Sequence, residues 1–177
     1  TIFAYPGTSE LALRAELDRQ DGLVVVNAWG DQEAAFMAAG GNLSGEPVCA
    51  AVLHGARGLA NALGSVADVR RSEIPVLYLV GLPSRASAPF LPRHGEPGLI
   101  DSAGAFARCA ADCSTLDGDD PSVYIKTITE ALDAVNELPL GPVLLGVPQD
   151  LPASRFVKRS SMASERRVCQ SSATWNA

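Results

Sequence analysis

The amino-acid sequence predicts an α/β fold with a parallel six-stranded sheet and helices on both faces. Apolar runs and helical segments alternate along the 177-residue chain, which is the pattern of successive strand–helix units. The apolar runs are continuous rather than alternating, as expected of strands covered on both faces. We therefore expect ligands to bind beyond the carboxyl ends of the strands, where parallel sheets hold their sites.

Four apolar runs predict the strands in the first half of the chain: "TIFAYPG", "GLVVVNAW", "PVCAAVLHG" and "IPVLYLVGLP". The segments between them predict three helices: "TSELALRAELDRQ", Asp31–Leu43 and "RGLANALGSVADVRR". In the first of these helices, Leu11, Leu13 and Leu17 lie at roughly helical spacing, and Thr8 or Ser9 is expected to cap the N-terminus.

The second half predicts a helix over residues 99–107, a short strand over 107–113, a helix over 121–136 and a last strand, "GPVLLGVP". Residues 1–152 therefore make one predicted domain. Residues 153–177 have scattered charge and few periodic apolar positions, so we expect a tail, linker or docking arm there. The chain begins directly in a strand and without methionine, and we expect an N-terminal piece to precede it.

Composition excludes several classes of function. A net charge of −6 and a pI near 4.8 argue against binding to nucleic acid, which calls for a basic face. No apolar run reaches the ~20 residues that a membrane helix needs. The spacing of Cys49, Cys109, Cys113 and Cys169 provides no metal-ligand set, so we expect no metal site and interpret them as reduced thiols of a cytoplasmic protein.

Candidate functional residues follow the predicted strands. Gly55, Gly58 and Gly64 surround a strand-to-helix turn, where backbone N–H groups can approach a ligand. A tight turn with close helix packing is the alternative, and spacing alone favours it. His54, just before the turn, is either a core histidine or a ligand-facing one. His94 lies in "FLPRHGEPG", a loop that is either solvated or a lid over the site.

Two carboxylates open the second predicted helix, in "GDQEAAFMAAGGN". Asp31 and Glu33 both lie in its first turn. Acidic residues there complement the helix dipole by about 0.3–1 kcal/mol each. The pair alone therefore indicates nothing more than a stabilised helix start.

Four runs, taken in order, resemble the pyrimidine-binding (Pyr) domain of thiamine diphosphate enzymes of the acetolactate synthase, pyruvate decarboxylase and benzoylformate decarboxylase superfamily. They are "TIFAYPGTSEL", "GDQEAAFMAAG", "AAVLHGARGLANALGSVADVRRSEIPVLYLVG" and "GPVLLGVPQDL". The third is the most specific, because it matches a benzoylformate decarboxylase pattern of LHxxxG, an Asn three residues later and a Pro fourteen after that. In this chain those positions are Gly58, Asn61 and Pro75.

The resemblance implies thiamine diphosphate as cofactor and a glutamate at the start of the second helix that binds its aminopyrimidine ring. It also implies a 2-oxo acid substrate, since the thiazolium ring of the cofactor accepts electrons when carbon dioxide leaves. Residues that the resemblance places near the cofactor are Pro6, Gly7, Thr8, Glu33, Gly55, Gly58 and Asn61. Those it places near the substrate are Thr8 and His54, with His54 also a candidate for proton transfer. Arg57 and His94 are further substrate candidates that the residues themselves suggest, through a guanidinium beside the turn and a loop that could cover the site.

The chain departs from the family pattern at the catalytic carboxylate. Family members carry the glutamate nine residues before the glycine that closes the helix, and that position here is Asp31, counting from Gly40. Glu33 is the residue type expected, but it lies only seven residues before Gly40. Asp31 has the matching register and Glu33 the longer side chain, so both remain candidates and Glu33 is slightly favoured. Arg57 is a second departure, because the family carries a small residue there. Its guanidinium either pairs with an anionic substrate or the partner chain, or is simply exposed.

The motif that anchors the diphosphate and Mg²⁺ in this family, GDG followed by a distant Asn, is not found in the sequence. The resemblance therefore implies a partner diphosphate-binding (PP) domain that holds the Mg²⁺, in a homodimer or hetero-oligomer. That domain is expected either on a separate subunit, as in sulfopyruvate decarboxylase, or elsewhere in a longer chain of which this sequence is a fragment. The predicted function is the Pyr component of a 2-oxo acid decarboxylase or carboligase. The alternatives are an acetolactate synthase-type carboligase and a non-catalytic Pyr-like regulatory or scaffolding subunit.

Overall fold

The computed structural model describes residues 1–45, 48–116 and 120–151. These ranges contain six strands and five α-helices. The strands are β1 (Ile2–Ala4), β2 (Val25–Asn27), β3 (Ala50–His54), β4 (Val76–Leu82), β5 (Cys109–Asp112) and β6 (Pro142–Pro148). The helices are α1 (Leu11–Leu17), α2 (Asp31–Leu43), α3 (Gly55–Arg71), α4 (Leu99–Gly104) and α5 (Pro121–Val135).

The six strands form one sheet in the order β2-β1-β3-β4-β6-β5, and every pair in it is parallel. The predicted fold class is therefore confirmed. Long, fully apolar strands occupy the centre, where β4 and β6 pair over seven residues. The short strand β2 lies at an edge of the sheet and is half exposed. Burial on both faces is therefore a property of the central strands.

Helices cover both faces of the sheet. On one face, α2, α3 and α4 pack on β3 and β4 around buried residues that include Leu53, Leu59 and Tyr78. On the other, α1 and α5 pack around Val52, Tyr124 and Leu145. Because alternate side chains of β3 point to opposite faces, Val52 and Leu53 enter different cores. This two-sided burial fixes the register of the central strands, and with it the position of the residues that follow them.

Two details of the prediction are wrong. Helix α1 begins at Leu11 with Glu10 at the N-cap position and no side-chain cap, because the Ser9 hydroxyl bonds to Glu10 and His54 instead of capping the helix. The helix predicted over 99–107 ends at Gly104. Residues 153–177, the predicted tail, lie outside the described residues.

The cysteines match the expectation only in part. Cys49 and Cys113 are buried thiols outside any disulfide, whereas Cys109 is disulfide-bonded, so the prediction that all four are reduced thiols is wrong for Cys109. A disulfide depends on the approach of two backbone segments in space, which sequence spacing does not show. Among the described helices, none is long and apolar enough to cross a lipid bilayer.

Candidate functional site

The carboxyl ends of β1, β3 and β4 bring together residues from four segments of the chain. The turn after β1 carries Ser9 and Glu10, and the end of β3 carries His54. The first residue of α2, Asp31, reaches the same place, as does His94 from the loop after β4. Parallel strands 2-1-3-4 place their carboxyl ends at one edge of the sheet, so this convergence follows from the topology.

Asp31 is buried against the turn between β3 and α3. It is 6% exposed, and its Oδ1 accepts a hydrogen bond of 2.7 Å from the backbone N–H of His54. A Cβ at Gly58 would come within 2.5 Å of Oδ1, so the glycine is needed for the carboxylate to fit. The backbone N–H of Asp31 itself also bonds to the carboxyl group, and no other described residue donates a hydrogen bond to Oδ2.

Burial raises the pKa of Asp31 above its ordinary value of 3.8. The negative charge of Glu10 acts in the same direction, whereas the His54 backbone N–H and a positive charge on His54 oppose it. Burial is the largest of these effects because a carboxylate loses its hydration there. A carboxyl group that binds its proton more firmly is suited to exchange it with a ligand.

Glu33 lies on the opposite side of α2 from Asp31. Its side chain is exposed, and Oε2 accepts a hydrogen bond of 3.0 Å from the backbone N–H of Trp29. The arrangement resembles a capping box, in which the third helical residue reaches back to the N-terminus. With Phe36 and Met37, Glu33 lines a shallow apolar hollow on the surface, away from the edge where Asp31 and His54 meet.

Ser9, Glu10 and His54 form a hydrogen-bonded cluster beside Asp31. Glu10 is 2% exposed, and its Oε2 lies 2.7 Å from His54 Nδ1. The Ser9 hydroxyl donates to the same Oε2 over 2.7 Å and lies 2.8 Å from Nδ1. Gly7 packs directly on the imidazole, which leaves no room for a Cβ. The imidazole ring is therefore held by three backbone or side-chain neighbours.

His94 covers this cluster from the loop after β4. Its ring centroid lies 4.2 Å from that of His54, with the planes tilted by 55°. Its backbone carbonyl accepts from Ala56 N at 3.1 Å, and a Cβ at Gly55, which has φ +52°, would lie 2.7 Å from that oxygen. Glycine is therefore favoured at position 55 for two reasons: the backbone there is left-handed, and the His94 carbonyl oxygen approaches it closely. His94 Nδ1 is buried, and no described residue bonds to it.

Two arginines lie near this histidine pair. Arg57 follows His54 on the first turn of α3, Arg93 precedes His94, and both are exposed. Desolvation lowers the pKa of His94 below its ordinary value, and positive charges on His54, Arg57 and Arg93 lower it further. Among the described residues, neither arginine forms an ion pair. The mouth of the site therefore carries unneutralised positive charge.

The remaining predicted residues lie around the cluster rather than in it. Pro6 and Thr8 are exposed in the turn after β1, where the Thr8 carbonyl accepts from Gln149 Nε2 at 2.7 Å. Asn61 is exposed on α3, about two helical turns beyond His54. Neither the Thr8 nor the Asn61 side chain has a hydrogen bond among the described residues.

Sequence reasoning did not identify Glu10 or Ser9 as site residues. A serine and a glutamate just before a helix also suit its N-terminal cap and dipole, and that alternative was sufficient to explain them. The available signal was their position directly after the Pro-Gly turn that ends β1. The structure shows that this glutamate turns inward, because its Oε2 contacts His54 and Gly81 packs against it, where a Cβ would lie 2.8 Å from the Glu10 Cβ.

Comparisons with known proteins agree with this architecture. The chain aligns with 83% coverage and 23% identity to the Rhodococcus jostii RHA1 thiamine diphosphate-dependent 4-hydroxybenzoylformate decarboxylase, with a TM-score of 0.68. It aligns with 96% coverage and 19% identity to benzoylformate decarboxylase from Polynucleobacter necessarius, with a TM-score of 0.72. It spans only 27% and 30% of those two chains. Comparison with curated protein sequences finds no match.

A family model gives the assignment. The thiamine pyrophosphate enzyme N-terminal TPP binding domain matches residues 1–105, which include β1 to β4 and every element that contributes to the site described above. On this match and the six-stranded parallel fold, the chain belongs to the thiamine pyrophosphate enzymes as an N-terminal, pyrimidine-binding domain.

Proposed function

We propose that this domain is the Pyr component of a thiamine diphosphate-dependent 2-oxo acid decarboxylase or carboligase. In this proposal, a partner chain carries the diphosphate-binding domain and the Mg²⁺. The observation that carries it is Asp31: a buried carboxyl group at the carboxyl edge of the sheet, with a raised pKa.

The residues at the edge fit the pyrimidine ring of the cofactor. Asp31 supplies a carboxyl group that donates or accepts a proton at a ring nitrogen, while its Oδ1 stays fixed by His54 N. Gly55 and Gly58 let backbone approach closely beside it. Glu33, Pro6, Thr8 and Asn61 lie further out, so contact between them and the cofactor stays a prediction. When bound, thiamine diphosphate supplies the electron sink for loss of carbon dioxide from a 2-oxo acid.

The substrate side of the site is assigned to the histidines and Arg57. His54 carries the imidazole that exchanges a proton with the substrate, and His94 closes over it. Arg57 has no ion-pair partner among the described residues, so its guanidinium is available to the substrate carboxylate. His54 and Arg57 lie at the same edge of the sheet as Asp31, so one ligand can contact all three residues.

The test is reconstitution with a diphosphate-binding partner that carries the GDG motif and its downstream Asn. Mixing the two purified chains with thiamine diphosphate, Mg²⁺ and a panel of 2-oxo acids should release carbon dioxide. A complex with the Asp31→Asn chain should still assemble and should release carbon dioxide at least ~100-fold more slowly. A stable complex that binds the cofactor yet turns over no member of a broad panel would overturn the catalytic assignment.

A non-catalytic Pyr-like subunit is the second candidate, and the length of Asp31 favours it. Aspartate is one methylene shorter than glutamate, and Oδ1 is already bonded within the domain. Complex formation without cofactor binding would support this alternative. Whether the product is a decarboxylated aldehyde or a ligated acid depends on pocket residues from the partner, and analysis of the products distinguishes the two. The cytoplasmic location stays a prediction.

A further inference from the structure

The contact between His54 and Glu10 requires a proton between two specific atoms. Nδ1 of His54 and Oε2 of Glu10 are 2.7 Å apart, and Glu10 is 2% exposed. Two lone pairs at that distance would repel each other, so one of the atoms carries a hydrogen that it donates to the other. If Nδ1 is the donor in the neutral ring, then Nε2 has the free lone pair. The identity of the donor therefore determines which nitrogen of His54 can accept a proton from a ligand.

The Ser9 hydroxyl indicates which atom is the donor. It donates to Glu10 Oε2 over 2.7 Å, so Oε2 already acts as an acceptor. Its oxygen lies 2.8 Å from His54 Nδ1 and can accept in turn. A hydrogen on Nδ1 satisfies both short contacts at once. The backbone N–H of Ser9 also points at Nδ1, but at 3.4 Å it is beyond the usual range for such a bond.

We propose that Glu10 is a positioning residue that holds neutral His54 with its proton on Nδ1, leaving Nε2 as the nitrogen that exchanges a proton with the ligand. A buried carboxylate behind an imidazole fixes its tautomer and stabilises the imidazolium that forms when the ring is protonated. The catalytic consequence rests on the proposed function. The tautomer does not, because it follows from contacts within this chain.

The surrounding packing holds the ring in this orientation. Gly7 lies against the imidazole and Gly81 against Glu10, with no room for a Cβ at either glycine. The His94 ring lies 4.2 Å from His54 on another side. The second carboxylate oxygen of Glu10, Oε1, is buried and has no partner among the described residues.

The test is ¹⁵N NMR of the two imidazoles in the full chain. The chain is purified with a tag that contains no histidine, so that no other imidazole signal is present. The chain has two histidines, so His94→Gln and His54→Gln assign the signals. Two-bond couplings then show which His54 nitrogen carries the proton when the ring is neutral. The wild type should show Nδ1–H. Glu10→Gln should lower the Nδ1–H fraction, because an amide either donates or accepts at Nδ1, whereas the exposed-site control Glu16→Gln should leave it unchanged.

A wild-type chain whose neutral His54 carries its proton on Nε2 would overturn the inference without any variant, so poor folding of Glu10→Gln does not block the test. An unchanged tautomer in well-folded Glu10→Gln would also overturn it. Because the measurement needs neither partner nor cofactor, the tautomer can be established even if no 2-oxo acid is turned over. Conversely, an active complex with an Nε2–H wild type would refute this inference alone.

Discussion

The carboxylate of Asp31 accepts a 2.7 Å hydrogen bond from the backbone N–H of His54, 23 residues further along the chain. This bond joins the start of α2 to the end of β3 and places the buried carboxyl group beside the imidazole. The two residues belong to segments that the family resemblance treats as separate motifs. Because the donor is a backbone N–H, this contact ties the Asp31 carboxylate to the end of β3 whatever the side chain at position 54.

Asp31 and Glu33 should differ sharply in their effect on catalysis. In the reconstituted complex, Asp31→Asn should lower kcat by at least ~100-fold, the usual contribution of a proton-transferring group. Glu33→Gln should leave kcat close to the wild-type value, because this exposed side chain bonds only to Trp29 N among the described residues. Steady-state kinetics on matched complexes measures both, and the reverse ranking would assign the role to Glu33.

Replacing Asp31 should also stabilise the domain at neutral pH. Burial raises the pKa of Asp31 in the folded state above its ordinary value of 3.8. Between the unfolded-state pKa and the folded-state pKa, the unfolded state binds fewer protons than the folded state, so the free energy of unfolding falls as pH rises. Asp31→Asn removes that penalty, so its advantage in the free energy of unfolding should grow as pH rises from about 4 to 7. Urea unfolding across this range measures it. A variant that is less stable at pH 7 than at pH 4, relative to wild type, would contradict the reasoning.

Gly58 should resist substitution because of Asp31. An alanine Cβ there would lie 2.5 Å from Asp31 Oδ1, and overpacking of this kind costs about 1–3 kcal/mol. Gly58→Ala should therefore lower both stability and kcat. Gly64, on the same helix, is the control, because no atom lies within 4 Å of the place that its Cβ would take. Gly64→Ala should stabilise by about 0.4–1 kcal/mol and leave kcat unchanged. Equal effects at the two sites would count against a packed Asp31.

Arg57 should act on substrate affinity rather than on turnover. If its guanidinium binds the substrate carboxylate, Arg57→Gln should raise KM by about tenfold or more, since a hydrogen bond to a charged group contributes about 1.5–3 kcal/mol. Arg71→Gln, at the far end of α3, is the matched control and should change nothing. If Arg57→Gln and Arg71→Gln both keep the wild-type KM, Arg57 does not bind the substrate carboxylate.

Tyr78 should affect stability alone. Its hydroxyl lies 3.1 Å from Ser65 Oγ in a site with no exposure, and burial raises the pKa of Tyr78 to about 12. Above pH 10 the unfolded state releases the phenol proton before the folded state does, so the phenol lowers stability as pH rises from about 10 to 12. Tyr78→Phe should cost about 0.5–1.5 kcal/mol at pH 7 and should remove this part of the alkaline decline. Thermal unfolding at several pH values measures both, with kcat unchanged.

Much of the fold could be predicted from the sequence because its signals are local. Continuous apolar runs such as "PVLLGVP" indicate a buried parallel strand without reference to any other segment. The predicted bounds of helix α2, Asp31–Leu43, are the observed ones. The prediction for α1 is less accurate, because Ser9 and Glu10 have the composition of a cap, and their contacts with His54 become visible only in the structure.

The sequence by itself determined the fold class, the edge of the sheet that holds the site, and the family to which its motifs point. Only the tertiary structure showed that Asp31 faces inward and Glu33 outward. Two residues apart on a helix are about 200° apart around its axis, so one of them must face away from the sheet. The α2 sequence does not say which one, because small alanines on one face and Phe36 and Met37 on the other are both apolar. The packing of Asp31 against Gly58 and His54 decides it, since that contact joins segments that are distant in the chain.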